Sequence, residues 1–285
     1  MRLSAPVFVK DMTPESYAMA HVEKGYGAAW IGKEFSPGNA ENAKYVEVLK
    51  QHNIIIGEVR MDEPTNVMSP DPAFRKKSIE YCKSRLALAD EMGAVCFATL
   101  VGSANPEFFG GPCPENYSKE FEDAALEVWR GILNEVKPTR TKLAFEFVPF
   151  CFMDSMDNQA AFIDRLESDM VAMHFDPVNY MSTMRRVMTS GQYFNDIFDR
   201  YGSRIVSLHA KDIDVDDHSM VTVMKEKFIG EGRMDYVTYL RRAAQMPADT
   251  PICFEHFWTP EEYETQRQCF LKQVEKAGVT LVLPE

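Results

Sequence analysis

Four ionisable residues stand near the ends of short apolar segments, where a charged side chain is costly to bury. They are Glu146 in LAFEFV, Asp176 in VAMHFDP, His209 in IVSLHAKD and Glu255 in ICFEHF. A buried charge persists when it is paired, hydrogen-bonded or bound to a metal ion. Three carboxylates placed together would repel one another without a cation, whereas with one they and an imidazole form an ordinary set of hard ligands. These residue types therefore predict a divalent metal centre.

The spacing of the four residues favours one shared site. The intervals are 30 residues from Glu146 to Asp176, 33 from Asp176 to His209 and 46 from His209 to Glu255, the last lengthened by a polar segment at 212–234. Equivalent strand ends converge in a parallel barrel, so one residue per strand–helix unit would meet the others. The alternative is a separate salt bridge to Lys or Arg for each residue. With three oxygen ligands and no thiolate, Mn²⁺ is expected first, ahead of Mg²⁺, Co²⁺ and Zn²⁺.

The elements that must position these residues alternate along the whole chain. Eight short segments, apolar on both faces, predict parallel strands at 5–9, 27–31, 54–59, 95–100, 143–148, 171–175, 205–209 and 252–255. Helical periodicity covers 14–24, 42–51, 71–92, 119–136, 159–166, 193–201, 236–244 and 260–277. Thr13 is a predicted N-cap, and Gly25, Gly93 and Gly278 are predicted helix ends.

Eight strand–helix units in 285 residues predict an α/β protein, a single (β/α)₈ TIM barrel in one domain over 1–285. A doubly wound open sheet uses the same alternation. No G-x-G-x-x-G follows the first predicted strand to support a dinucleotide-binding fold of that kind.

Composition narrows the classes of function and partner. The chain has 31 basic and 43 acidic residues and a formal net charge of −12, which argues against a nucleic-acid partner. No run approaches about 18 apolar residues and no apolar signal core is present, so we expect no membrane partner and a cytoplasmic location. The six cysteines include no C-x-x-C pair and are expected to be reduced. A homo-oligomer or a hetero-oligomer is compatible with this composition.

The sequence also resembles a known family. The residues that carry the resemblance are Glu146 in FEF, Asp176 in HFDPVN, His209 in SLHAKD, FIGEG at 228–232, Glu255 in CFEH and GSANP at 102–106. They resemble the xylose-isomerase-like barrels, which include sugar-phosphate isomerases and epimerases, ketose 3-epimerases, and inosose isomerases and dehydratases. The resemblance implies that these four residues hold a divalent ion and that the two glutamates act as acid and base. With the uncharged substrate argued from the loops below, the resemblance implies an isomerase or epimerase that transfers a proton through an enediolate on a keto-sugar or inosose.

One departure from the family pattern keeps other activities open. The ketose epimerases have a histidine three residues after the aspartate, whereas Asn179 stands there in this chain and cannot titrate near neutrality. A dehydratase or lyase acting on keto-inositols or 3-keto-glycosides, including subunits that cleave C-glycosides, is the alternative. A catalytically silent sugar-binding barrel is a third hypothesis. The family's DNA-repair endonucleases need more histidine ligands and a basic surface, which six histidines and a charge of −12 do not provide.

Further candidates to bind a small carbohydrate lie in the last residues of the predicted strands or after them: His174, Asn179, Lys211, Glu58, Arg60, Ser103 and Trp258. Five of them have a structural alternative. The histidine could be a hydrogen-bonded core residue, and the lysine could form a salt bridge at the barrel rim. The Glu and Arg could form an ion pair with each other, and the serine could hydrogen-bond the backbone of its own turn.

The residues after the last two strands predict an uncharged substrate. Barrels that bind phosphate usually present Gly-rich loops and helix N-termini there. Here four acids lie within 212–217 and would repel a dianion, unless they are only a solvated loop. Phe257 and Trp258 suit the apolar face of a sugar ring or an aglycone.

Overall fold

The computed structural model describes residues 1–285 and contains ten strands. They are β1 (Arg2–Ser4), β2 (Ala28–Ile31), β3 (Ile55–Val59), β4 (Cys96–Thr99), β5 (Lys142–Glu146), β6 (Val171–Phe175), β7 (Ile205–Ala210), β8 (Asp212–Val215), β9 (Met224–Lys227) and β10 (Pro251–Phe254). Eight of them form a closed barrel in the order β1-β10-β7-β6-β5-β4-β3-β2, and β8 and β9 form a separate antiparallel pair. The predicted (β/α)₈ barrel is confirmed.

Ten α-helices accompany the strands. They are α1 (Pro14–Lys24), α2 (Asn42–Gln51), α3 (Pro72–Met92), α4 (Lys119–Val136), α5 (Met156–Arg165), α6 (Pro177–Tyr180), α7 (Met184–Met188), α8 (Ser190–Tyr201), α9 (Tyr236–Ala243) and α10 (Pro260–Ala277). Thr13 caps α1 through the Ser16 N–H, as predicted. Gly25, Gly93 and Gly278 end their helices in the left-handed conformation, as predicted. None of the helices combines the length and apolar content needed to cross a bilayer.

The chain divides into two compact units. The first unit comprises Met1–Ala29, Val48–Ile55 and Phe175–Glu285. In it β10 pairs with β1 and β7, which places Cys253 beside His209. Aromatic rings pack together here. The ring centroid of Tyr239 lies 6.1 Å from that of Phe175 and 5.2 Å from that of Phe194. This packing fixes the last strands of the barrel, which carry most of the predicted ligands.

The second unit comprises Trp30–Glu47 and Ile56–His174. In it β3, β4, β5 and β6 pair in parallel, and Glu146 lies in register with His174. Trp129 and Phe162 pack edge-on against Phe145 on the outer face of β5. Because successive side chains alternate in a strand, packing of Phe145 on this face directs Glu146 to the other.

The first strand is a correction to the sequence prediction. It was expected at 5–9, but the structure has it at Arg2–Ser4. Pro6 lacks an N–H for a sheet ladder, and Phe8 is 56 % exposed. Arg2 looks unsuited to a buried strand, yet its guanidinium donates to the Asn53 carbonyl at 2.5 Å and to Asp249 at 2.7 Å. These contacts satisfy the charge and allow the short polar strand to be buried.

The polar insertion after β7 is the second difference. The sequence predicts only a polar insertion at 212–234 and no strand in it, whereas β8 and β9 form an antiparallel hairpin there with Ile213 opposite Glu226. Ile213 and Val215 are buried while the intervening Asp214 is half-buried. This alternation over four residues was the available signal for a strand.

Candidate metal centre

Three of the four predicted ligands lie together in the first unit. Asp176 directly follows β6 and caps α6 by accepting from the Val178 N–H at 2.9 Å. His209 is the fifth residue of β7, and Glu255 directly follows β10. Ligand atoms of these three residues lie within 4.8 Å of one another, and all three side chains are buried. The ends of β6, β7 and β10 therefore bring together two carboxylates and an imidazole.

Lys211 lies within this cluster. Its Nζ is 2.5 Å from Oδ2 of Asp176 and 2.9 Å from Oε2 of Glu255, and the residue is 1 % exposed. Nδ1 of His209 is 3.0 Å from the same Glu255 oxygen and 3.6 Å from Oδ2 of Asp176. Two carboxylates, an imidazole and an ammonium thus meet in one buried cluster. The two carboxylates and the imidazole are a donor set that fits a hard or borderline divalent cation.

The electrostatics of Asp176 follow from these contacts. Burial opposes its ionisation, but the Lys211 ammonium and His209 hold the pKa of this carboxyl well below its usual range. The carboxyl is therefore ionised at neutral pH, which a metal ligand requires.

Helices on the outside of the barrel fix the end of β7. The Tyr239 hydroxyl donates to the His209 carbonyl at 2.7 Å, and Tyr236 donates to the Lys211 carbonyl at 3.0 Å. Gln266 donates to the carbonyl of Ala210, the residue between them, at 3.1 Å. Three consecutive carbonyls thus have side-chain donors where the strand carries its functional residues.

The fourth predicted ligand, Glu146, is the last residue of β5 in the second unit. Its register partner in β6 is His174, whose Nδ1 lies 3.4 Å from Oε1 of Glu58. Glu58 and His174 are both fully buried. Glu58 therefore faces a histidine, and the guanidinium of Arg60, its expected partner, lies 4.1 Å above the Trp30 ring.

The other predicted substrate residues differ in accessibility. Ser103 is 1 % exposed, and its hydroxyl donates to the Gly111 carbonyl at 2.7 Å and accepts from the Asn105 N–H at 2.9 Å, which matches the turn alternative. Trp258 is 85 % exposed. Asn179 lies in α6, half-buried.

Sequence reasoning missed Glu226 and His256, which adjoin the cluster. Nδ1 of His256 is 2.9 Å from both carboxylate oxygens of Glu226, and Nε2 is 3.5 Å from Oε2 of Glu255. Glu226 is also 3.8 Å from Nζ of Lys211. The position of His256 directly after Glu255 was a signal for it, whereas Glu226 reaches the cluster only through the β8–β9 hairpin.

Asp212 corrects the view of the acids after β7 as a solvated loop. It is fully buried, and its carboxylate accepts from the N–H groups of Gly230 at 2.9 Å, Gly232 at 3.2 Å and Met234 at 3.3 Å. Burial raises the pKa of Asp212 to about 6, although these N–H groups act to lower it. The carboxylate of Asp212 occupies the position in the glycine turn that an external anion would need.

Comparison with known proteins places the chain in a family. The family model described as xylose isomerase-like TIM barrel matches residues 20–274. No curated protein matches the chain in sequence.

Solved structures share the fold at low sequence identity. A xylose isomerase-like TIM barrel protein from Mycobacterium smegmatis in complex with magnesium is 17 % identical, covers 97 % of each chain and has a TM-score of 0.65. D-Allulose 3-epimerase from a Methylomonas species is 15 % identical over 97 % of this chain and 98 % of its own, with a TM-score of 0.66. Endonuclease IV from Thermus thermophilus is 14 % identical over 97 % of this chain and all of its own, with a TM-score of 0.72. These structures are alike in fold and differ in their named activities.

With the closed barrel, the acidic cluster at its strand ends and a match over nearly all of its length, this chain belongs to the xylose isomerase-like TIM barrel family.

Proposed function

We propose that the protein is a divalent-metal-dependent isomerase or epimerase of a neutral keto-sugar or inosose. The observation that carries the proposal is the buried set of Asp176, His209 and Glu255, whose ligand atoms lie within 4.8 Å of one another. Carboxylate and imidazole ligands buried together suit a divalent cation better than an apolar core.

Glu146 is the fourth ligand in this proposal. It is in parallel register with His174, so the two side chains share one face of the sheet. Asp176 follows His174 by two residues, and strand alternation directs it to that face as well. The ion expected is Mn²⁺, with Mg²⁺, Co²⁺ or Zn²⁺ as alternatives.

An ion held by these residues would supply a Lewis acid that polarises a substrate carbonyl. The residues of the chain perform the proton transfer. One of Glu146 and Glu255 removes the proton from the carbon beside the carbonyl, and the other returns a proton from the opposite face. The buried ammonium of Lys211 stabilises negative charge that develops on a substrate oxygen. The fold shared with an allulose epimerase supports this assignment.

The glycine turn supports a neutral substrate. Its N–H groups at Gly230 and Gly232 already bind the carboxylate of Asp212. A phosphate group would therefore lack the backbone donors that such turns offer in phosphate-binding barrels.

The test combines metal content with turnover. Purified protein, stripped of metal and reloaded with Mn²⁺, is assayed in D₂O against keto-sugars, inososes and 3-keto-glycosides, with Glu255→Gln as the inactive control. We expect about one Mn²⁺ per chain and deuterium incorporation beside the carbonyl of one substrate. Protein that binds no divalent ion, or that loads with Mn²⁺ yet turns over no member of the panel, contradicts the proposal.

A lyase is the second candidate, favoured by Asn179. This residue lies in α6 immediately after Asp176, where an amide binds a hydroxyl but cannot exchange a proton near neutral pH. The same assay separates the two activities, because elimination gives an unsaturated product and loses a substituent, whereas epimerisation conserves the composition of the substrate.

A further inference from the structure

The β8–β9 hairpin is braced on the side that faces β10. Arg233 donates to Asp214 at 2.7 Å and also pairs with Asp217, which ties the turn after β9 to both β8 and the hairpin loop. Phe228, directly after β9, stacks on Phe257 with ring centroids 5.4 Å apart and planes at 3°. The hairpin is therefore held in a defined place beside the segment that follows Glu255.

That segment contains an unfavourable backbone conformation. His256 has a φ of 64°, in the left-handed region that side chains with a Cβ rarely adopt. Such a conformation persists where the surrounding structure enforces it. The side chain of this residue is held by the Glu226 carboxylate of the hairpin, since both carboxylate oxygens lie 2.9 Å from Nδ1 of His256.

The second ring nitrogen of the same imidazole lies near the candidate metal centre. Nε2 of His256 lies 3.5 Å from Oε2 of Glu255, so the ring bridges two carboxylates. The same Glu255 oxygen is approached by Lys211 at 2.9 Å and by His209 at 3.0 Å. His209 and Lys211 reach this oxygen from the end of β7, whereas His256 directly follows Glu255 in the chain and is held by Glu226 of the hairpin.

We propose that Glu226 is a positioning residue for Glu255 and acts on it through the His256 ring. Glu226 holds the ring, and the ring with Lys211 and His209 fixes the direction of the Glu255 carboxylate. This role rests on the proposed function, because it takes Glu255 as a ligand of the divalent ion. Partners of this kind orient metal ligands, and their loss typically weakens metal affinity about 10- to 100-fold.

Mn²⁺ binding to the metal-stripped full-length protein, measured by calorimetric titration with no substrate present, tests the proposal. Glu226→Ala is expected to weaken Mn²⁺ binding roughly tenfold. Glu226→Gln is expected to recover most of the affinity, because its amide oxygen still accepts from Nδ1. The matched control is Glu231→Ala, which removes an exposed carboxylate from the same insertion and should leave affinity unchanged.

A second variant tests the route through the ring. Asn tolerates the left-handed conformation but is too short to bridge the two carboxylates, so His256→Asn should weaken Mn²⁺ binding to a similar extent. The double variant Glu226→Ala with His256→Asn should bind no more weakly than the weaker single variant, since both changes break one chain of contacts.

Three outcomes overturn the inference. If Glu226→Ala binds Mn²⁺ as tightly as the wild type, Glu226 does not position Glu255. If the losses of affinity add up in the double variant, Glu226 does not act through the His256 ring. Glu226→Gln as weak as Glu226→Ala would show an effect of charge alone. These results concern the positioning role by itself, whereas a wild-type protein that binds no Mn²⁺ overturns the proposed metal centre too. If no substrate of the panel is turned over, the proposed activity fails, but the Mn²⁺ binding titrations still test the positioning role of Glu226.

Discussion

At the scale of single residues, Lys211 has the largest electrostatic effect on the candidate metal centre. Its ammonium lies between Asp176 and Glu255, and all three side chains are buried. Removing one partner of a buried ion pair leaves an uncompensated charge, which costs more than the intact pair contributes. The lysine therefore stabilises the cluster when no metal is bound.

Lys211→Met should destabilise the metal-free protein by about 3 kcal/mol, because the buried carboxylate of Asp176 then loses its ammonium partner. Bound Mn²⁺ should restore more stability to this variant than it adds to the wild type. Urea denaturation with EDTA and with Mn²⁺ measures both effects. The control is Lys227→Met, which removes an exposed ammonium from β9. Equal stability of wild type and Lys211→Met in EDTA would show that the lysine does not carry this role.

Asp176→Asn and His209→Ala should act mainly on metal affinity. Each change removes one ligand, so the Mn²⁺ dissociation constant should rise at least about tenfold, and excess Mn²⁺ should restore part of the activity. Titrating activity against Mn²⁺ concentration checks this. Activity that stays absent at saturating Mn²⁺ would give these residues a direct part in the chemistry.

Glu146→Gln and Glu255→Gln should act on proton transfer. A general acid or base contributes roughly 100- to 10,000-fold, so deuterium exchange from solvent into substrate should fall by at least about 100-fold even at saturating Mn²⁺. Mass spectrometry of the substrate recovered from D₂O measures the exchange. Normal exchange in both variants would refute the assignment of the glutamates.

At the scale of an element, helix α1 carries a buried neutral histidine. His21, in the last turn, is fully buried, and its Nδ1 lies 2.8 Å from the Tyr17 carbonyl one turn earlier. Burial lowers the pKa of His21 to about 4, against the opposing effect of the Tyr17 hydrogen bond. The side chain is therefore buried in its uncharged form at neutral pH.

This helix should make stability pH-dependent. Between about pH 4 and 6.5 the unfolded chain binds a proton at this histidine and the folded chain does not, so stability rises with pH in that window. The contribution of uncharged His21 to the free energy of unfolding is fully present above pH 6.5 and is lost toward pH 4. The lowering of the His21 pKa from 6.5 to about 4 corresponds to about 3 kcal/mol. The difference in unfolding free energy between wild type and His21→Phe, measured by urea denaturation from pH 4 to 7.5, should change accordingly. Parallel pH curves would contradict it.

At the scale of the whole molecule, charge and fold act together on the choice of substrate. The chain carries a net charge of −12, and its potential disfavours the approach of a dianion. The turn that could bind an anion is filled by Asp212. Both features predict an uncharged substrate.

We expect kcat/KM for an unphosphorylated substrate to exceed that for its matched phosphate ester by at least about tenfold. The gap should narrow at higher ionic strength, because salt screens the contribution of the protein's field. Steady-state kinetics at low and high salt measure both. A preference for the phosphate ester would show the expectation wrong.

Much of this architecture could be predicted because its signals are local. Apolar runs of four to six residues and helical periodicity identified the barrel, and Gly25, Gly93 and Gly278 marked helix ends, since one residue type tolerates the left-handed conformation there. The first strand was misplaced because Arg2 is buried through contacts with Asn53 and Asp249, distant in sequence. The prediction of one domain over 1–285 stays a prediction.

Residue types and strand spacing by themselves made Glu146, Asp176, His209 and Glu255 candidates for one site, because charged residues in apolar strands are costly to bury. Only the tertiary structure decided that Lys211 lies between two of these carboxylates and that Glu226 reaches His256. The physical reason is that these side-chain contacts depend on the register of the β8–β9 hairpin and on side-chain directions at separate strand ends. Neither follows from the periodicity of any one segment.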